Sequence, residues 1–352
     1  MSALVHLTID GCPIEIEAGA TLLDAARAAG IYIPVLCSDD DLHPYGACRL
    51  CLVEVEGQRR AMLPSCTTPV TEGMVIRTTS ATLEQVRRSI VELLLSDHPT
   101  DCLSCPRNNR CDLQRVAAYV GLREQRFHGE KHPAVLDNSN PFYIRDLERC
   151  ILCGKCVRTC DEIQNRRAIH YAYRGLKTKI AAELDRDVRD SLCEFCGQCV
   201  TKCPVGALYT RSEFEHGSPT GVTKTICPYC GVGCGLILET RGSLIIGAVG
   251  DRDNPVNQGR TCVKGRFGYD FVNHPDRLTT PLIKRGGQFV PGTWDEAMDL
   301  VADKLVGIKK QCGGDSIAVL SSAKCTNEEN YLLQKFTRAV LETNNIDHCA
   351  RL

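Results

Sequence analysis

The chain has 352 residues with 42 Lys and Arg against 43 Asp and Glu, a formal charge of −1, so no global field draws it to nucleic acid or to an anionic membrane. No apolar run approaches the roughly 20 residues that span a bilayer, so any membrane attachment must come through a partner. Aromatic residues make up 5% and Trp occurs once, against 23 Cys: the length prior of two or three ordinary domains gives way to smaller modules stapled through cysteine.

Leu4 to Ile9 and Ile14 to Ile16 alternate like paired strands around Asp10-Gly11-Cys12-Pro13. Thr21, with Asp24 three residues on and Gly30 beyond Ala29, marks the start and stop of a short helix. Cys37, Cys48, Cys51 and Cys66 follow as C-x10-C-x2-C-x14-C, and Leu52 to Glu56 returns as a strand. Strand, strand, helix, cysteine loop is the order of a β-grasp ferredoxin, and four thiolates suit one [2Fe-2S] cluster.

Leu83 to Ser96 places Leu83, Val86, Ile90, Leu93 and Leu94 at helical spacing and stops before Asp97-His98-Pro99. His98 reads either as a solvated cation at a helix exit or as a ligand. The pattern H-x3-C-x2-C-x5-C decides for the ligand, because Cys102, Cys105 and Cys111 supply three thiolates and need a fourth donor. Two C-x2-C-x2-C-x3-C runs come next, Cys150, Cys153, Cys156, Cys160 and Cys193, Cys196, Cys199, Cys203, forming an internal repeat. Asp161 stands where a proline is usual, Glu162 to Asp190 is a long insert, and the polar stretch Glu213 to Thr223 reads as a linker at a domain boundary.

Cys227, Cys230 and Cys234 give C-x2-C-x3-C, and Cys262 follows a glycine-rich β segment; on spacing alone a zinc ribbon is the structural alternative. After Pro281 the pattern becomes α/β: a capping box at Thr293-Trp294-Asp295-Glu296 opens a helix to about Lys310, Gly313-Gly314 ends it, Ile317 to Leu320 is a short buried strand, and Asn327 to Thr343 is another helix. Cys12, Cys312, Cys325 and Cys349 lie outside the ligand groups and are expected as buried or turn thiols. Disulfides are the rival use of so many thiols, but C-x2-C pairs on tight loops suit a metal and strain a direct bridge. The first residues carry no basic n-region, long apolar core or twin-arginine signal, which places the chain in the cytoplasm.

The first cysteine loop, longer than the plant-type C-x4-C, resembles the N-terminal domain of NADH-linked enzymes: the large subunit of complex I, iron-only hydrogenases and NAD-dependent formate dehydrogenases. His98, Cys102, Cys105 and Cys111 resemble the same group's [4Fe-4S] site with one histidine, where a neutral imidazole raises the potential relative to four thiolates. The two runs resemble a bacterial two-cluster ferredoxin, and that resemblance implies exchange of the fourth ligand. Cys150, Cys153, Cys156 and Cys203 then hold one [4Fe-4S] cluster, and Cys193, Cys196, Cys199 and Cys160 the other. The Cys227 block, with Gly250-Asp251-Arg252-Asp253-Asn254-Pro255-Val256-Asn257-Gln258-Gly259 ahead of Cys262, resembles the opening [4Fe-4S] domain of molybdopterin oxidoreductases, in the formate dehydrogenase branch. There the lysine after the last cysteine lies between cluster and pterin, which implies a cofactor-binding, electron-relay role for Lys264; a solvated lysine is the plainer reading.

Ser321 to Tyr331 and Asn344 to Leu352 resemble the large subunit of cytosolic NAD-linked formate dehydrogenases, in which the next residue is the selenocysteine or cysteine that ligates molybdenum or tungsten. The resemblance implies a UGA selenocysteine codon after Leu352. It also implies an α+β multidomain chain: a β-grasp [2Fe-2S] ferredoxin (1–79), a histidine-ligated [4Fe-4S] module (80–120), a two-[4Fe-4S] ferredoxin (140–211), a molybdopterin oxidoreductase [4Fe-4S] domain (222–278) and the truncated start of an α/β pterin-binding domain (279–352). One [2Fe-2S] and four [4Fe-4S] clusters are expected, with a Mo or W bis-pterin only in the full-length protein. Electrons from formate pass through the pterin-proximal cluster, the ferredoxin pair and the histidine-ligated centre towards the N-terminal region. No G-x-G-x-x-G stands between a strand and a helix, so NAD(H) and FMN are expected on a flavoprotein partner, beside a further small [2Fe-2S] subunit. The rival is a non-catalytic wiring subunit between a flavoprotein and another redox partner. The Cys227 block disfavours an iron-only hydrogenase and the paired runs disfavour complex I.

Overall fold

The computed structural model describes residues 3–57, 62–131 and 135–351, in two compact units, Met1–Gly217 and Ser218–Leu352.

In the first unit β1 (Leu4–Ile9) and β2 (Cys12–Glu17) form a hairpin. Its turn is only Asp10-Gly11, both left-handed at φ 50 and 82, the geometry whose twist matches two paired strands. Cys12 and Pro13 therefore belong to the strand, and Pro13 is tolerated because β2 is a sheet edge. Thr21 and Asp24 close the expected capping box on α1 (Leu22–Ala28). β3 (Leu52–Val55), β4 (Met62–Pro64) and β5 (Val75–Arg77) complete a five-stranded sheet in the order β2-β1-β5-β3-β4, with β1 and β5 parallel. Leu7, Ile9, Leu22, Leu23, Val53 and Ile76 pack beneath it together with Cys51 and Cys66.

α2 (Ala81–Asp97) begins two residues before the expected Leu83 because the Ser80 hydroxyl accepts from Leu83 N–H. Its Arg87 is buried and donates to the carbonyls of Leu50 (3.2 Å) and Leu52 (2.7 Å), tying the helix to the cysteine loop. Arg87→Met strands both carbonyls and is expected to cost about 2–4 kcal/mol, read as a lower denaturation midpoint; an unchanged midpoint contradicts this role. Glu92, buried on the same helix, accepts from Arg126 Nε at 2.8 and 3.0 Å, and that bond holds its carboxyl below the ordinary value. A depressed folded-state value stabilises above the unfolded one, about 4.3, and the benefit disappears as pH falls through the folded one. The stability gap between wild type and Glu92→Gln should thus be widest at neutral pH and close in acid; a pH-independent gap in denaturation curves contradicts this.

α3 (Asp112–Tyr119) is followed by β6 (Leu136–Asp137) and β7 (Tyr143–Asp146), which form a small sheet with β10 (Leu208–Thr210). α4 (Lys155–Arg158) and α5 (Gln198–Lys202) occupy matching places in the two cysteine runs. After α4 the chain continues as a π turn, Thr159–Ile163; Asp161 permits that continuation, which a proline without N–H resists. The insert 162–190 contains a hairpin of β8 (Ile169–Ala172) and β9 (Lys179–Ala182). The expected linker from Glu213 is largely structured. Glu213 closes a capping box with Thr210 to start α6 (Arg211–His216), and β11 (Gly221–Ile226) resumes after a short connection.

In the second unit β11, β12 (Gly235–Arg241) and β13 (Leu244–Gly250) form an antiparallel meander, followed by α7 (Val263–Phe267) and α8 (Asp270–Asn273). β14 (Leu282–Arg285) and β15 (Gln288–Pro291) pair around Gly286-Gly287. α9 (Trp294–Cys312) has the expected capping box, and β16 (Val319–Ser321) runs parallel to β17 (Ile346–His348) with α10 (Asn327–Phe336) between them. The strand expected to be buried is not: Leu320 is 85% exposed, because one helix and one short strand are too little to cover it. Three of the four thiols outside the ligand groups, Cys12, Cys312 and Cys349, are likewise exposed rather than buried, and Cys325 is half-buried in a bend. Among the described residues no helix is long and apolar enough to cross a membrane.

Candidate metal centres

All 23 cysteines are free thiols. Cys37 lies on the loop that follows α1, Cys48 and Cys51 lie on the same loop before β3, and Cys66 follows β4. Cys48 N–H donates to Cys37 Sγ at 3.4 Å, and the Cys51 and Cys66 sulfurs stand 3.3 Å apart. Hydrogen bonds among these thiols split them: Cys48, then Cys66, pull Cys37 down, and Cys66 pulls Cys51 down to about 6, while Cys48 and Cys66 are raised. Gly46 and Arg49, both left-handed at φ 69 and 59, fold this loop.

His98 is the C-cap of α2, its N–H donating to Leu95 O at 3.2 Å. The ring is buried, and its Nδ1 finds no hydrogen-bond partner among the described residues. Burial first, and Arg149 second, push its pKa down to about 4, so the imidazole is neutral at pH 7 and free to offer a lone pair. Cys102 and Cys105 bracket a single 3₁₀ turn, and Cys111 caps the start of α3. Arg149, held by Asp146 (2.9 Å) and Asp101 (3.2 Å), faces both His98 and Cys105. A Cβ on Gly206 would stand 2.5 Å from Cys105 Sγ and 3.3 Å from Arg149 Cδ, so glycine is what lets that backbone pass.

The two runs are built alike. Leu152 and Gly154 in the first, Phe195 and Gly197 in the second, are left-handed at φ 53, 76, 57 and 69. These kinks aim matching amides inward: Leu152 N–H donates to Cys150 Sγ and Phe195 N–H to Cys193 Sγ, each at 3.4 Å, while Ala168 N–H reaches Cys160 Sγ at 3.3 Å. Cys150, Cys153, Cys156 and Cys203 line one cavity; Cys160, Cys193, Cys196 and Cys199 line another, and Cys199 reaches both. Burial raises Cys156, Cys160, Cys199 and Cys203, and Cys150 and Cys153 to about 12, with neighbouring sulfurs adding to the effect at most of them. Four such groups cannot ionise together without a cationic core between them, which fits a bound cluster. One apolar cluster, including Leu36, Val91, Leu113 and Val205, packs against Cys48, Cys111, Cys150 and Cys203, thiols from three of the ligand sets.

In the second unit Cys227, Cys230 and Cys234 share the loop from β11 to β12, and Cys262 caps α7. Cys227 N–H donates to Cys234 O at 2.8 Å. Burial, and then the neighbouring thiols of this set, raise Cys234. Asn257 is buried and clasps the loop, accepting from Gly235 N–H (2.8 Å) and donating to Gly235 O (3.1 Å) and Arg260 O (2.7 Å). Gly250 passes so close to the Gly259 carbonyl that a Cβ would collide with it. Lys264 is exposed on α7. Among the described residues no three His, Cys, Asp or Glu side chains close on a lone metal ion; a cluster core spaces its ligands more widely than a lone ion does. Arg149 and Gly206 were not identified from sequence, although Arg149 immediately precedes Cys150 and Gly206 ends the run Cys203-Pro204-Val205-Gly206, and Asn257 stood within the Gly250–Gly259 segment without a role of its own.

Five families match in succession: a 2Fe-2S iron-sulfur cluster binding domain over residues 2–81, an NADH-ubiquinone oxidoreductase-G iron-sulfur binding region over 87–126, an NADH-quinone oxidoreductase subunit 3 ferredoxin-like domain over 141–209, a molybdopterin oxidoreductase Fe4S4 domain over 220–274 and molybdopterin oxidoreductase over 277–352. The chain is 40% identical over 351 residues to the NADPH-Fe(3+) oxidoreductase subunit alpha of Geobacter sulfurreducens. It is 38% identical to an NADH-quinone oxidoreductase subunit of Rhizobium meliloti, and 35% identical to the Bacillus subtilis protein named "Putative formate dehydrogenase YrhE". Each alignment takes in 99% of this chain and 40% of the relative, so the chain spans about 40% of their length. A chain of the NAD+-reducing [NiFe]-hydrogenase is similar in structure, at TM-score 0.55 and 33% identity over 59% of this chain and 88% of that one. The fold is thus α+β and multidomain, with 2Fe-2S and 4Fe-4S domains leading into the start of a molybdopterin oxidoreductase domain. In sequence order, its segments match the iron-sulfur regions of NADH-quinone oxidoreductase G-like proteins and then the opening of molybdopterin oxidoreductases.

Proposed function

We propose that the chain is the electron-transfer arm of a formate dehydrogenase catalytic subunit. The observation that carries this reading is the order of ligand sets: four precede a molybdopterin-type Fe4S4 segment and the beginning of a pterin-binding domain. The formate assignment is supported by relatives so named and by the Ser321–Tyr331 and Asn344–Leu352 segments.

Cys37, Cys48, Cys51 and Cys66 would hold the [2Fe-2S] centre. His98 with Cys102, Cys105 and Cys111, the crossed sets Cys150/Cys153/Cys156/Cys203 and Cys160/Cys193/Cys196/Cys199, and Cys227/Cys230/Cys234/Cys262 would hold four [4Fe-4S] centres. When bound, these clusters supply one-electron transfer at potentials set by ligand, burial and hydrogen bonding. The protein aims amides at the sulfurs, keeps water out with apolar side chains and presents His98 neutral. Lys264, beside Cys262, is assigned to the side of a pterin. A flavoprotein binding FMN and NAD(H) is the partner; likeness to an NAD+-reducing hydrogenase chain and to an NADH-quinone oxidoreductase subunit supports it.

A formate-to-dye assay on the native complex, with Mo and W analysis and an iron count near roughly 18 per chain, tests this. A complex with full iron, no Mo or W and no formate activity points instead to a wiring subunit, the reading favoured by likeness to an NADPH-Fe(3+) oxidoreductase subunit.

A further inference from the structure

Ten residues separate Cys37 from Cys48, where a plant-type ferredoxin uses four. In the structure this segment lies on the cysteine runs. Arg158, on α4 between Cys156 and Cys160, donates to the carbonyls of Cys37 (2.5 Å) and His43 (2.6 Å). Its guanidinium lies 4.9 Å from the Tyr45 ring centre, and its Nε is buried with no hydrogen-bond partner among the described residues. His43 N–H donates to Glu162 at 2.7 Å. Lys202, on α5, bonds Asp39 at 2.6 Å and also Asp41, and Lys155 stands 3.8 Å from Asp39. The Asp39, Lys155 and Lys202 side chains are each only 10% exposed. Tyr45 and Tyr171 close over Gly154, where a Cβ would meet them at 3.2 and 2.5 Å.

We infer that residues 38–47 are an internal docking loop, with Arg158 as its positioning residue, which seats the Cys37 centre at a fixed separation from the Cys150/Cys153/Cys156/Cys203 centre. The inference rests on the cluster assignment proposed above. Loop length follows from reach, because six fewer residues remove about 20 Å of extended chain and leave Asp39, Asp41 and His43 unable to meet α4 and α5. Buried, hydrogen-bonded charges suit the task, since they tolerate one arrangement and penalise others. Electron exchange between centres depends steeply on their separation, so fixing it is functional.

The test compares unaltered chain, Arg158→Gln and Lys202→Gln, purified anaerobically, by iron content, EPR power saturation and amide hydrogen exchange. In the variants iron content and the position of each EPR signal are expected to persist. The power that half-saturates the [2Fe-2S] signal, raised in unaltered chain by its reduced neighbour, should fall several-fold, and exchange across 38–47 should quicken tenfold or more while β1 and β5 stay protected. Unchanged saturation and unchanged exchange in both variants overturn the inference. Should Arg158→Gln lose its clusters, exchange across 38–47 in Lys202→Gln decides alone. Absence of the [2Fe-2S] signal from unaltered chain strikes the cluster assignment instead, and exchange still reads the docking.

Discussion

Cys203→Ala is expected to abolish the centre built on Cys150, Cys153 and Cys156 and to spare the one built on Cys193, Cys196 and Cys199, although Cys203 belongs to the latter run in sequence. The cavities support this directly: Cys203 lines the one walled by Cys150, Cys153 and Cys156, whereas Cys160 lines the other. Without its fourth thiolate the first set is left with Cys150 and Cys153 raised to about 12 and Cys156 raised by burial as well, so the three revert to neutral thiols and release iron. Iron should fall by roughly four per chain, with one [4Fe-4S] EPR signal lost. Cys160→Ala should remove the other signal. Loss of the opposite centre in each variant would establish pairing within runs.

His98→Cys should retain a centre at Cys102, Cys105 and Cys111 and lower its midpoint potential, whereas His98→Ala should lose it. Exchanging a neutral imidazole for a thiolate adds one negative charge where water is excluded, and an extra negative charge favours the oxidised cluster. Two histidines in Rieske centres raise potentials by several hundred millivolts, so one should be worth on the order of 100 mV. Arg149, facing both His98 and Cys105, will soften the fall but not reverse it. An EPR-monitored redox titration reads the shift. A midpoint that does not move, or an intact centre in His98→Ala, removes His98 from the ligand set.

The cysteine pattern and the capped helices were legible in sequence because both are local signals. Thr21 with Asp24, and Thr293 with Glu296, are hydrogen-bond boxes closed over three residues, and they form as expected. Polarity alone misled at Glu213, where the same kind of box with Thr210 turns an apparent linker into α6. The β8–β9 hairpin escaped notice because His170 and Tyr171 break the apolar alternation that announces a strand, and both are exposed. At Ile317 to Leu320 the apolar run was real, but burial depends on what covers a strand rather than on the strand itself. Contacts such as Arg158 to Cys37 or Lys202 to Asp39 join residues more than a hundred positions apart, and no local pattern encodes them.

The apolar cluster that packs against Cys48, Cys111, Cys150 and Cys203 also governs how such a protein matures. A core shared by three ligand sets has no independent compartments, so a vacancy at any one loosens the walls of its neighbours. Under iron limitation the population should therefore divide into fully charged chains and open ones that proteases clear, with few partly filled species between them.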